Sequence, residues 1–210
     1  MSGIIVQGDV KEAQYKFYEV LEKMNKEKEF KKIIYVTFNQ PAKATMEKLS
    51  NTTLQDVYYV DMISKEEGLP QIPSAVYLDS PDSFNDLIEL LVSELSDDVL
   101  LVLDNIHSIF LFEEENRVQT FLKTLFNIVS GDKSYLVTYL VKGSLEGRLE
   151  TSALGYGDEI IETQRFGSLW EEWKRMNTKD VFSLKSPILF FIYINQLVVI
   201  SFLIIMLLFI

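Results

Sequence analysis

The last 24 residues, Pro187 to Ile210 (PILFFIYINQLVVISFLIIMLLFI), carry no charged side chain and run to the chain terminus. As a helix this segment rises ~36 Å at ~1.5 Å per residue, enough to cross a hydrocarbon core of ~30 Å with some tilt. A segment buried in a soluble core is ordinarily shorter and has more chain on both sides to cover it. The expectation is a tail anchor, with the alternative that the span is the first of a longer protein. Lys174, Arg175, Lys179 and Lys185 precede the span. Positive charge on that side keeps residues 1–186 in the cytoplasm, as in a single-pass protein of the cell membrane, with lipid as its first partner. Trp170 and Trp173 stand where indole rings meet headgroups. Met1 to Val10 runs almost at once into charged sequence from Lys11, so no secretory signal is expected, nor a GPI-type tail, which requires one.

Within the span Asn195 and Gln196 are adjacent, with Ser201 further on. Amides in hydrocarbon seek hydrogen bonds, and bonds between membrane helices relieve the cost at ~0.6 to 2 kcal/mol each. The pair points to self-association or to another membrane helix. The plainer alternative is a side chain reaching headgroups or local water, since both residues lie close to the cytoplasmic end.

Every charged side chain lies before the span, so the remainder carries the whole formal charge of −11. Such a domain is repelled by nucleic acid, which is not an expected partner. Cysteine is absent, which removes disulfides, thiolate chemistry and Cys-type zinc sites. No Pro/Ser/Gly-rich linker or internal repeat divides the first part of the chain, so we expect a single domain over 1–166, a juxtamembrane segment over 167–186 and the anchor over 187–210.

The order of elements defines the fold class. Ile4 to Gln7 is a short apolar strand leading to a Gly8-Asp9 turn, and a helix follows from Lys11 to about Glu29, with Tyr15, Tyr18, Leu21 and Phe17, Val20, Met24 at helical spacing. Ile33 to Phe38 reads as a strand covered on both faces, and Pro41 stands where a helix begins. Strands are expected at Val57–Val60, Ala75–Leu78, Val99–Leu103, Tyr135–Val141 and Ile160–Thr163, with helices over Pro81–Leu95 and Arg117–Val129. Strands alternating with helices imply an α/β fold with a mainly parallel sheet and right-handed crossovers, and ligands at the carboxyl ends of the strands.

Those turns carry the candidate chemistry. A phosphate-binding loop of the form GxxxxGK[ST] uses glycines to bring backbone N–H groups around phosphate, a Lys for charge and a hydroxyl for magnesium. After the first strand only Gly8 fits this need; Asp9 and Glu12 oppose an anion, and Lys11 does not restore the pattern. The strand VLLVL ends in Asp104, the form of a Walker B strand whose carboxylate holds magnesium through water, although many strands end this way without catalytic duty.

At this point the chain resembles the RecA-superfamily ATPases of the KaiC-like, archaeal kind. IIYVTFNQPAKATMEKL resembles that family's strand followed by a glutamate pair and a helix, VLLVLDNIHSIFLF its Walker B strand, and YLVTYLV with LGYGDEIIET its later strands. VYYVDMISKEEG and YLDSPDSFNDLIELL look like the variable central segment of archaeal members. The resemblance covers roughly residues 3–165 and implies a RecA-like three-layer sandwich. Where the family's glutamates act as base, this chain has Asn39 and Gln40, amides that take no proton at neutral pH. With the Lys and hydroxyl of the phosphate loop also missing, the resemblance implies a degenerate phosphate loop (Gly8, Asp9, Lys11) and a pseudo-ATPase.

Other candidates read more plainly. His107, the sole histidine, lies just past Asp104; a metal or acid/base pair is conceivable there, but the expectation is a hydrogen-bonded or partly exposed residue without catalytic duty. Glu113, Glu114 and Glu115 fit a solvated helix start, and Arg148 a surface residue rather than a finger for a neighbouring subunit. No Ser/His/Asp triad, HExxH or dinucleotide fingerprint is present, and neither a catalytic residue nor a metal site is expected. The functional expectation is an inactive, membrane-held interaction or regulatory subunit without cofactor, working in a homo-oligomer or beside an active ATPase or membrane protein. The alternative is a sensor or weak ATPase that holds ATP and magnesium weakly through Asp104 and residues near Gly8.

Overall fold

The computed structural model describes residues 3–50, 52–131 and 133–163. The expected juxtamembrane segment at 167–186, the expected anchor at 187–210 and the Asn195–Gln196 pair lie outside the described residues. Among the described residues no helix is long and apolar enough to cross a membrane.

Seven strands form one sheet in the order β4-β3-β2-β5-β6-β1-β7. The strands are β1 (Gly3–Gly8), β2 (Lys32–Thr37), β3 (Val57–Asp61), β4 (Ala75–Tyr77), β5 (Val99–Leu103), β6 (Tyr135–Val141) and β7 (Glu159–Glu162). Every pairing is parallel. The helices are α1 (Val10–Glu27), α2 (Ala42–Leu49), α3 (Phe84–Glu94), α4 (Ile106–Ile109), α5 (Glu115–Gly131) and α6 (Gly147–Leu154).

The strand order and the right-handed rule together decide which face each helix covers. The chain moves one way across the sheet from β1 to β2 and β3, so α1 and α2 share a face. It moves the other way from β4 through β5 and β6 to β7, so α3 to α6 cover the opposite face. The core divides accordingly. On the first face Phe17 and Leu21 of α1 and Ala42 and Leu49 of α2 pack on Tyr35, Tyr59, Leu100, Val102 and Tyr139. On the second, Leu87 and Leu91 of α3 and Phe121, Leu122 and Leu125 of α5 pack on Ile34, Val36, Leu101 and Leu103. Alternate residues of β5 thus face opposite layers, which is why VLLVL has no polar position and all five residues are buried. The edge strands are the shortest, three residues in β4 and four in β7, which limits the unpaired backbone they present.

The expected α/β class and parallel sheet are present, and the expected strands are found within a residue or two. Pro81–Leu95 is shorter as a helix than its periodicity suggests. Ser80, Asp82 and Ser83 bond among themselves, and the Phe84 amide donates to the Asp82 carbonyl at 2.7 Å, so the first three residues form a turn that starts α3 at Phe84. The short α4 and α6 have no counterpart in the sequence reading.

Phe17 is fully buried, with its ring centroid 5.1 Å from Tyr139 and 5.3 Å from Tyr18. Phe17→Ala should lower stability by about 3–5 kcal/mol, read as a shift in the urea unfolding midpoint at unchanged slope.

Candidate functional site

Ligands of open parallel sheets sit where neighbouring strands send their connections to opposite faces. Inside this sheet, away from its edge strands, that happens between β2 and β5 and between β1 and β6.

The first junction is built around the exit of β2. Beyond Thr37 the strand's amides run past their ladder partners, and two aspartates from the flanking strands take them. Asp104, immediately after β5, accepts from the Phe38 amide at 3.2 Å on each oxygen and from the Asn39 amide at 3.1 Å. Asp61, the last residue of β3, accepts from the Ala42 amide at 2.7 Å, where α2 begins. It also takes the Ile63 amide at 2.9 Å, the Ser64 amide at 2.8 Å and the Ser64 hydroxyl at 2.6 Å. Both carboxylates are buried, at 3% and 0% exposure.

Asp104 is named by the sequence reading and Asp61 is not, although VYYVD and VLLVLD have the same form. An apolar run closed by Asp marks both. For Asp61 the second signal is Ser64 three residues on, a hydroxyl spacing that suits a local turn.

Burial pushes the Asp104 carboxyl up to about 7, against the opposing pull of the Phe38, Asn39 and Asn105 amides and of Lys48. Around it lie Tyr35, Tyr18 and Tyr139, all raised above the ordinary tyrosine value, chiefly by burial. Asn105 donates to the Tyr139 hydroxyl at 3.4 Å, and its side-chain oxygen takes the Ser108 amide at 3.1 Å, capping α4. Its amide nitrogen lies 3.3 Å from Nε2 of His107. His107 is half-buried and burial lowers its basicity, favouring the neutral imidazole. Asn39 is exposed and Gln40 half-buried, and the Gln40 side-chain oxygen accepts from Lys48 of α2. The amide pair therefore stands beside Asp104, but Asn39 meets it through the backbone.

At the second junction a single residue, Asp9, separates β1 from α1. Gly8 is buried while Asp9 and Lys11 are exposed. A Cβ on Gly8 would lie 1.6 Å from Oγ1 of Thr163, so glycine is required here for close approach to the segment leaving β7. Beside it, Gln7 is buried at 4% exposure and donates through its side chain to Glu150 of α6 at 2.5 Å. Glu150 also takes the Gly143 amide, just past β6, at 2.9 Å.

The remaining candidates stand apart. Glu113 and Glu114 precede α5 and Glu115 begins it; Glu113 pairs with Arg117, and Arg148, 90% exposed along its side chain, lies 3.7 Å from Glu115. A groove of about 350 Å³ between α3 and α5, lined by Asn85, Ile88, Arg117 and Thr120 among others, contains no residue of either junction. Among the described residues no cluster of three or more His, Asp and Glu side chains could hold a metal ion.

No protein-family model matches this chain, and no curated protein sequence does. Solved structures do. A KaiC-like protein from the hyperthermophilic archaeon Pyrococcus horikoshii, PH0186, superposes with a TM-score of 0.52 at 16% identity, over 80% of this chain and 74% of its own. The fold is KaiC-like. A second protein of that archaeon, PH0250, gives 0.54 at 10% identity over 79% and 83%. On this KaiC-like sheet the residues singled out in the sequence fall at or just past strand ends: Gly8 closes β1, Asp9 follows it and Lys11 lies in the first turn of α1, Asn39 and Gln40 follow β2, and Asp104 follows β5.

Two outcomes test the geometry. Gly8→Ala should cost about 1–3 kcal/mol through overpacking, and Thr163→Ala should recover part of that loss, a coupling that a double-mutant cycle measures. Asp104 holds its proton in the folded state to about pH 7, whereas an unfolded aspartate releases it near 4. Its contribution to stability is complete below pH 4 and falls by about 1.4 kcal/mol per pH unit as pH rises from 4 to 7. Asp104→Asn lacks this slope, so the stability of wild type relative to the variant should decline across that window in paired urea titrations.

Proposed function

We propose that this chain is a catalytically inactive KaiC-like domain, held at the cytoplasmic face of the cell membrane by its apolar C-terminal segment. It acts there as an interaction or regulatory subunit, in a homo-oligomer or beside an active ATPase or membrane protein. The observation that carries this reading is the β1–α1 connection. With one residue between strand and helix and the side chain of Thr163 filling the space over Gly8, there is no loop of successive amides to surround a triphosphate. No hydroxyl or lysine follows at the positions that would hold magnesium and phosphate.

The other catalytic positions support the same reading. Asp104 is buried with both oxygens bonded to backbone amides, so holding a hydrated cation would require breaking those bonds. Asn39 and Gln40 stand where the resemblance places a general base, and amides accept no proton at neutral pH. Loss of a general base alone costs ~10²- to 10⁴-fold. What remains is binding through helix surfaces and strand-end loops, with neither cofactor nor nucleic acid as partner.

Titration of the purified full chain in mild detergent with fluorescent ATP and magnesium should give no saturable binding in the micromolar range. Saturable binding that is lost in Asp104→Asn would instead make the protein a nucleotide sensor working through that residue. Recovery of a reproducible ATPase or membrane companion from native membranes supports the subunit reading, whereas a protein freely dispersed after gentle lysis removes the anchor from it.

A further inference from the structure

The mouth between β1 and β6 is closed by the protein's own carboxylate. Three strands set its walls: the Lys142 amide donates to the Gly8 carbonyl at 2.8 Å, and the Thr163 amide to the Gln7 carbonyl at 2.7 Å, so the exits of β6, β1 and β7 are laced together. Two donors converge in this frame. One is the side-chain amide of Gln7, on a residue more than nine-tenths buried. The other is the backbone N–H of Gly143, which has a φ of 72° and open space around the position of a Cβ. Glycine is needed there for its backbone angle, which aims the N–H at the mouth.

Each donor takes one oxygen of Glu150: Gln7 holds Oε1 at 2.5 Å and Gly143 holds Oε2 at 2.9 Å. A carboxylate gripped by one donor per oxygen has the geometry of a bound oxyanion. The frame belongs to the sheet, whereas Glu150 belongs to α6, an eight-residue helix with one buried side chain, Ala153. An element with so little apolar burial opens at low free-energy cost compared with the sheet beneath it.

We propose that Glu150 is a tethered, self-inhibiting anion: it occupies a two-donor oxyanion site formed by Gln7 and Gly143, and outward movement of α6 frees that site for an oxyanion from solution. The tether gives the carboxylate an effective concentration in the millimolar range or above, so a free anion competes poorly while Glu150 is present. This goes beyond the subunit reading and does not rest on it, because the site holds a single oxyanion group and requires no nucleotide.

The test uses inorganic phosphate with the full chain in detergent, against potassium chloride of equal ionic strength. Glu150→Ala should show a melting temperature that rises with phosphate, giving an apparent affinity at least about tenfold tighter than that of wild type. Hydrogen exchange should show the amide of Gly143 losing protection in the variant and regaining it with phosphate, with strands β1, β5 and β6 unchanged. Glu150→Asp, one methylene too short to reach both donors, supplies the same two measurements if the alanine variant does not fold. Equal phosphate response in wild type and variant, or none in either, overturns the proposal, as does a response limited to ionic strength.

Discussion

The exit of β2 is held from both sides by buried carboxylates, and the carboxyl edge of the sheet depends on that clamp. A strand in the middle of a parallel sheet must leave it through a turn whose amides have no ladder partner, and a buried amide without a partner costs on the order of 1–3 kcal/mol. Asp61 and Asp104 meet this demand from the two neighbouring strands. An ionised carboxylate in such a position would be costly alone, and the amides aimed at each one offset that cost. For Asp104 the compensation is partial, which is why burial still dominates its titration. The same clamp fixes where α2 starts and sets Asn39 and Gln40 at the rim of the crevice.

The two junctions of this sheet are filled in different ways. Between β2 and β5 the occupants are acceptors bound to donors of the backbone. Between β1 and β6 a helix side chain reaches into the mouth, and Thr163 packs where a larger residue than Gly8 would stand. In both places groups that could meet a ligand are engaged with the protein itself. In this KaiC-like fold the strand-end positions thus serve to tie the fold together. Shared fold at 10–16% identity carries the arrangement of strands and crossovers, and the chemistry has to be argued from each side chain at its place.

Much of the fold was legible because both faces of the sheet are covered. Strands buried on two sides carry few polar residues, so IIYVT, VLLVL and YLVTYLV stand out from the helices between them. The elements without a counterpart in the sequence are short: α4 has four residues, and α6 has eight and buries only Ala153. Neither shows enough turns for helical spacing to register. Asp104 was legible as a strand-end carboxylate, but its partners were not, since they lie 65 and 66 positions away.

From the sequence alone came the α/β alternation, the acidic charge, the absence of a phosphate-loop pattern and the uncharged terminal segment, all of which are properties of residue type and spacing along one dimension. Only the tertiary structure decided that Asp61 and Asp104 grip the same strand exit and that Gly8 is needed for Thr163. It also decided that Glu150 closes the mouth beside Gln7, 143 positions away in the chain. The physical reason is that hydrogen bonding and close packing act between atoms a few ångströms apart, and the strand order brings distant segments to that range without leaving a local mark.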